Sequence, residues 1–419
     1  MDNSGKFTWD QVKPAFNFTV MVAALGYFVD MYDLVLYGIV RIPSLKALGV
    51  TGDDLVTQGV FLLNMQMTGM LIGGIIWGIL GDKKGRLSVL FGSIALYSAA
   101  NIANAFVTTV PAYAFARFFA GVGLAGELGA AITLVSETLK KESRGYGTTI
   151  VASVGILGSV TAALVGDFFP WKWAYIFGGL LGLVLLALRA KMFESGMFAA
   201  VKSNKSVRKG DFFSLFTSRK RFLKYLQCIL IGLPMWFVVG ILVMFSPEFA
   251  VKLGVNGSVS AAKSIMFCYS GLVVGDLISG FSSQYFRSRK RIVLIFLLAA
   301  ATMAGVYLNS HDLPVSLFYA LVFIMGISIG YWAVFVTIAS EQFGTNLRAT
   351  VTTTVPNFVR GGVVVITLSF EALKGSFGVQ GAAAMVGGFT FAMGLVALYF
   401  MEETYLKDLN YLEENHRDF

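Results

Sequence analysis

Long apolar runs alternate with short polar ones from residue 16 to residue 401. A helix that spans a bilayer needs about 20 apolar residues. Twelve runs meet that need, at 16–40, 56–80, 87–107, 111–139, 146–168 and 172–191, then 222–250, 262–284, 291–308, 314–341, 350–373 and 379–401. The pattern predicts an all-α membrane protein with twelve transmembrane helices. The stretch 193–221 is long, polar and basic, and it divides the spans into two sets of six. The expected units are a first six-helix bundle over 1–192, a central loop over 193–221, a second bundle over 222–401 and a tail over 402–419.

Composition agrees with burial in lipid. Hydrophobic residues make up 56% of the chain, charged residues only 14%, and the mean hydropathy is +0.72. A soluble fold carries roughly 25% charged residues, so this chain has too little polar surface for water. The two cysteines, Cys228 and Cys268, sit in apolar runs and form neither a disulfide framework nor a metal-ligand spacing. The histidines, His311 and His416, fall in polar stretches, so intramembrane proton chemistry is left to carboxylates. No cofactor, metal site or cleavable signal peptide is expected. No serine–histidine–aspartate grouping or phosphate loop points to an enzyme.

The net charge of +9 would hint at nucleic acid on a soluble protein. Here most Lys and Arg fall in alternate loops, which gives a topology: both termini and the central loop on the cytoplasmic side. A multi-pass protein of a bacterial inner membrane, working as a monomer, is the expectation, with lipid rather than nucleic acid around it.

The two sets of spans repeat each other. Glu137 and Arg144-Gly145 return as Glu341 and Arg348-Ala349, an offset of 204. Gly78-Ile-Leu-Gly-Asp82-Lys83-Lys84-Gly85-Arg86 returns near offset 202 as a worn copy, with Gln284 in the place of Asp82. Glu194-Ser195 returns as Glu403-Thr404. These motifs, with Arg117-x-x-x-Gly121-x-Gly123 in the fourth span, resemble the signatures of the major facilitator superfamily over nearly the whole chain. Position 87 departs from the pattern, being Leu where a basic residue is common. Asp30-Met31-Tyr32-Asp33 resembles the acidic pair of its proton symporters for aromatic acids and related metabolites. The glycine–proline signature of its antiporters is missing from the fifth span. The resemblance implies two pseudo-symmetric halves and alternating access. It also implies an inner gate that includes the motif glycines Gly78 and Gly85 and is held by charge pairs among Asp82, Lys83, Arg86, Glu137, Arg144, Glu341 and Arg348. Asp82 is further placed to sit at the N-terminus of the third span, where a helix favours an anion.

Several polar residues lie inside spans, where they are costly unless they face the interior, pair or take a proton. Asp30 and Asp33 are three apart and share a helix face. Two carboxylates so close do not both hold charge cheaply, so the pair is a candidate proton carrier; the alternative is a fixed partner for Arg117. Glu127 is a further proton candidate, on roughly the same side of the fourth span as Arg117. Arg117 either clamps a substrate carboxylate or neutralises one of these acids. Arg360 follows Asn357 and Pro356, which is expected to kink its helix. It is a second candidate for an anionic solute, or the structural partner of Asp276. Asn64, Gln66, Gln227 and Asn357 are amides that would line a cavity. Trp236, Tyr331 and Trp332 would supply aromatic walls.

The reading at this stage is a transporter that carries a small organic acid, amino acid or similar metabolite with a proton. An uncoupled or sugar-type facilitator is the alternative within transport. A transporter-like nutrient sensor is the alternative outside it, disfavoured by a tail of only 18 residues after Met401.

Overall fold

A computed structural model describes residues 13–51, 54–189 and 211–413. Twelve helices among them are long and apolar enough to cross a membrane. They are α1 (Phe18–Ala47), α2 (Phe61–Lys84), α3 (Arg86–Asn104), α4 (Val110–Thr138), α5 (Glu142–Gly166) and α6 (Trp171–Arg189) in the first half. The second half has α7 (Arg219–Val243), α8 (Ala262–Tyr285), α9 (Arg289–Asn309), α10 (Val315–Gln342), α11 (Arg348–Phe370) and α12 (Ala372–Phe400). No β-strand occurs among the described residues. Every predicted span has its helix. The largest differences at an end are seven residues: α1 continues beyond the predicted 40 to Ala47, with Pro43 inside it, α7 stops at Val243 rather than 250, and α12 starts at Ala372 rather than 379. Residues 193–210 of the central loop, with Glu194-Ser195, lie outside the described residues.

Helix starts follow local chemistry. The Asn17 side chain accepts from the Val20 N–H at 2.9 Å and so opens α1. Thr109 does the same for Ala112, with Pro111 in the first turn of α4. The outer wall is apolar, with Phe115, Phe168, Phe389 and Tyr399 among its exposed side chains. Lipid is the solvent that suits such a wall.

Within the first half α1 packs on α5 and α4 on α2 and α3; within the second, α8 packs on α10. The halves meet along two seams, α2 against α11 and α5 against α8. Small residues set the approach. A Cβ on Gly129 of α4 would lie 2.4 Å from the Thr353 Cα of α11, so only glycine fits there.

Four of the described helices are interrupted, α4, α7, α10 and α12. α4 breaks at Ala125–Gly126 and α10 at Ile329–Tyr331, the same offset of 204 that relates the sequence motifs. α7 breaks at Ile231–Gly232, just before Pro234, and then winds as a π-helix over Val238–Val243. The kink expected at Pro356 is not a break: α11 keeps helical backbone angles through it. The chain leaves those angles instead at Gly378, whose φ of +69° suits a residue without a Cβ.

After α12, residues 401–413 run across the face that carries the 2–3, 4–5, 8–9 and 10–11 loops, here called the signature face. The Thr345 N–H donates to the Tyr411 carbonyl at 2.9 Å, and the Tyr411 hydroxyl donates to the Gln342 carbonyl at 2.8 Å.

Candidate functional site

Each helix break frees backbone groups that must be satisfied away from water. At the α4 break, the Trp77 indole N–H donates to the Val122 carbonyl at 2.6 Å, and the Asn357 amide donates to the Ala125 carbonyl at 3.0 Å. At the α10 break, the Asp276 carboxylate accepts from the Ala333 N–H at 3.1 Å. The Tyr331 hydroxyl donates to the Ile231 carbonyl at 2.8 Å, which serves the α7 break. The Asn357 amide N–H groups, one Asp276 oxygen and the Tyr331 hydroxyl are therefore committed to backbone. This corrects two expectations: Tyr331 is not among the cavity walls, and Asp276 is not the partner of Arg360.

Between the breaks lies a small cavity. Tyr27, Met31, Met235, Trp236, Tyr269 and Trp332 line it with Arg360. It draws on both halves. The Arg360 guanidinium sits over the Trp332 ring at 5.6 Å, and Trp332 meets Trp236 edge-on at 6.5 Å between centroids. Arg360 has loose polar contacts: Asn357 Oδ1 at 3.4 Å, Asp30 Oδ2 at 3.9 Å and Met31 Sδ at 3.9 Å. Good N–H···O hydrogen bonds run at ~2.7–3.2 Å. Both Asp30 carboxylate oxygens and the Arg360 Nε are buried without a hydrogen bond. A buried cation so weakly held beside aromatic faces suits a planar carboxylate.

The other candidate acids have closer partners, and Arg117 keeps its Nε and Nη2 buried without a hydrogen bond. Arg117 Nη1 donates to both Asp33 oxygens at 3.3 Å, and its guanidinium lies over the rings of Tyr37 and Tyr175 at 5.2 and 5.6 Å. Asp30 and Asp33 thus share a helix but not a partner: one faces the second half, the other stays within the first. Glu127 is held by Arg189, at 2.9 and 2.5 Å, and by the Ser93 hydroxyl at 2.7 Å. The break in α4 separates Arg117 from Glu127, so the two do not act together. Arg189 stands near the end of the sixth span, and nothing in its spacing announces that it reaches back to Glu127. None of the four amides lines the cavity: Asn64 is exposed, Gln227 is half-buried, Gln66 is buried elsewhere, and the Asn357 amide serves backbone carbonyls. Tyr27 and Met31 were missed, although Tyr27 stands three residues before Asp30 on the same helix face.

The signature face is closed by two related clusters. In one, Glu137 Oε1 receives Arg86 at 2.8 Å from its own half and Arg348 at 2.9 Å from the other. Asp82 accepts from the N–H groups of Ala349 and Thr350 at 3.1 and 2.8 Å. It therefore caps α11 of the opposite half, which corrects the expectation that it sits at the N-terminus of α3. In the other, Glu341 receives Arg289 at 3.3 Å from its own half and Arg144 at 3.6 Å from the other. Gln284, oriented as its neighbours require, accepts from the Gly145 N–H at 3.0 Å and from Arg289 at 3.1 Å. The Leu409 carbonyl of the tail accepts from Arg348 at 2.6 Å, and the Lys407 carbonyl from Arg144 at 3.4 Å. Gly78 lets Thr350 come close, Gly85 makes the α2–α3 turn at φ +105°, and Lys83 is exposed. Arg289 was absent from the sequence candidates, because its counterpart Arg86 lies at a slightly different offset.

Comparison with known proteins agrees with this fold. The family model of the Major Facilitator Superfamily matches residues 23–367. A putative niacin/nicotinamide transporter of Bacillus subtilis is 25% identical over 354 residues, covering 82% of this chain and 85% of its own length. The benzoate transport protein of Acinetobacter baylyi is 24% identical, covering 79% and 78%. The gentisate transporter of Corynebacterium glutamicum is 25% identical, covering 91% and 88%. Among solved structures, a proton:xylose symporter superposes with a TM-score of 0.76 at 16% identity, covering 94% of this chain and 97% of that one.

Proposed function

The chain belongs to the Major Facilitator Superfamily and is a multi-pass membrane transporter, and from that premise we propose that it carries a small aromatic carboxylic acid together with a proton. The observation that carries this reading is the loose Arg360–Asp30 pair at the wall of an aromatic cavity shared by both halves. Relatives named for niacin, benzoate and gentisate support the substrate class.

The coupling follows from competition for one guanidinium. With Asp30 ionised, Arg360 has a counter-ion and binds an incoming carboxylate weakly. A proton on Asp30 removes that counter-ion, and the substrate carboxylate takes its place on Arg360 while its ring lies against Trp332 and Trp236. Proton and anion then load together and leave the charge of the site unchanged. Loss of the proton on the other side restores Asp30 as competitor and releases the substrate. Asp33 with Arg117 and Glu127 with Arg189 hold α1, α4 and α6 as one body. The units 1–192 and 222–401 rock about the cavity, joined by 193–221, with both termini and the signature face in the cytoplasm. A single chain contains the whole site.

The test is uptake of labelled benzoate and nicotinate into proteoliposomes, with and without a pH gradient. Asp30→Asn is expected to abolish gradient-driven accumulation while keeping exchange of the acid. Arg360→Gln removes a charged hydrogen-bond donor, an effect of about 1.5–3 kcal/mol or at least ~tenfold in affinity. Normal accumulation by Asp30→Asn would overturn the coupling scheme. Uptake of the parent without any dependence on the gradient would favour the facilitator.

A further inference from the structure

Between the cavity and the charged gate lies a band of hydroxyls that neither site uses. The Thr133 and Thr352 hydroxyls meet at 2.5 Å across the α4–α11 contact. The Thr337 hydroxyl donates to that of Thr148 at 2.7 Å across the α10–α5 contact. The Ser136 and Ser340 hydroxyls meet at 3.3 Å between α4 and α10. All six residues are buried. Each contact joins a residue of the first half to one of the second. The offset of 204 turns Thr133 into Thr337, Thr148 into Thr352 and Ser136 into Ser340. The two threonine pairs are thus copies of each other, and the serine pair maps onto itself, as a contact on the symmetry axis must.

These bonds are poor candidates for latches. Each threonine also has a carbonyl of its own helix within reach: Gly129 at 2.8 Å from Thr133, Gly145 at 3.1 Å from Thr148, Ala333 at 2.7 Å from Thr337 and Arg348 at 2.8 Å from Thr352. A hydroxyl has one proton, so one threonine of each pair gives it to the other when the halves are shut and turns it to its own helix when they part. Separating the halves strands none of them, and water can add to each.

We infer that this band is the wall of the substrate's route from the cavity to the signature face, made of hydroxyls so that it is dry when shut and wettable when open. Along α11, Thr352 stands four residues from the gate residue Arg348 and eight from Arg360, or about 6 and 12 Å at 1.5 Å per residue. An apolar wall of the same shape would pack equally well when shut but would expose methyl groups to water when open. Hydroxyls remove that bias. The inference rests on the alternating-access reading above.

Valine has the shape of threonine without the hydroxyl, and replacing both partners of a hydrogen bond by groups of the same shape leaves the shut form nearly unharmed. The doubles Thr133→Val/Thr352→Val and Thr148→Val/Thr337→Val are therefore expected to shift the population toward the shut gate. Spin labels on Lys84→Cys and Tyr285→Cys, exposed on opposite halves of the signature face, read the separation after the buried Cys228 and Cys268 are changed to Ser. In the parent, the separation should respond to pH and to benzoate. Each valine double should lower the open fraction by at least ~fivefold, a bias of about 1 kcal/mol, and slow exchange in proteoliposomes to match. The serine doubles Thr133→Ser/Thr352→Ser and Thr148→Ser/Thr337→Ser should behave as the parent. A parent that moves while the valine doubles match it, or open further, overturns the wall. So do serine doubles that shift as far as the valine ones. A parent that never moves overturns alternating access itself, and the wall with it.

Discussion

Where the first half offers Asp82 to its opposite number, the second offers Gln284, and the two sides of the gate differ accordingly. An anion caps the first turn of α11 through two N–H groups at 2.8 and 3.1 Å. A neutral amide caps the start of α5 through one, at 3.0 Å. The ion pairs follow the same trend: 2.8 and 2.9 Å around Glu137, 3.3 and 3.6 Å around Glu341. Two copies of one motif have become a tight clasp along α2–α11 and a loose one along α5–α8. Charged hydrogen bonds are about twice as strong as neutral ones, so the loose side should part first when the signature face opens.

The separation of labels on Lys84→Cys and Tyr285→Cys can break or sharpen this comparison. The largest effect belongs to Glu137→Gln. Removing one partner of a buried ion pair costs about 3–5 kcal/mol, so this variant should hold the signature face open, while Glu341→Gln opens it less. Equal opening by the two would end the comparison. Next comes Asp82→Asn, which copies the second half's chemistry into the first. It should shift the gate toward open by about 1–2 kcal/mol; an unchanged separation would show that shape, not charge, makes the clasp. The reverse exchange, Gln284→Glu, should tighten the loose side beside Arg289, with a shift of about 1 kcal/mol toward shut and slower exchange. Faster exchange would contradict it.

The smallest effect concerns the tail. Burial pushes the Glu403 carboxyl up, but hydrogen bonds from the Ser288 hydroxyl and from the N–H groups of Arg289, Tyr405 and Thr404 outweigh it and hold it below its ordinary value. A carboxyl lowered by folding supports the folded form above its unfolded value and loses that support as pH falls through the lowered one. Docking of residues 401–413 should therefore persist at pH 5 and weaken only in acid below about 4.5. Hydrogen exchange of that segment against pH measures it, and release near neutrality would contradict it.

Much of this is legible in the sequence. Apolar run lengths located all twelve helices, because lipid leaves little freedom in how long a span can be. The offset of 204 found the gate, and applied residue by residue it would also have found the threonine band. Pairings were harder. Spacing placed Asp30, Asp33 and Glu127 among Arg117 and Arg360, but long arginine side chains reach several residues along a helix, and nothing local says which acid each one takes. Arg189 shows the limit: a residue at a span's end serves an acid buried deep in another helix. The breaks in α4 and α10 were also hidden, since Ala125-Gly126 and Ile329-Gly330 are ordinary in a membrane helix. They are stabilised by Trp77, Asn357 and Asp276, which lie far away in the chain.

The tail has a practical consequence. Its Lys407 and Leu409 carbonyls are bonded to Arg144 and Arg348, the two arginines that cross the gate. The halves cannot part without disturbing it. A protein fused beyond residue 413 would thus hang from the moving part, and a bulky tag there is a perturbation rather than a neutral handle. The same connection makes a cheap instrument: an environment-sensitive dye on exposed Asn410 would brighten or dim with each cycle, so that the transporter reports its own turnover.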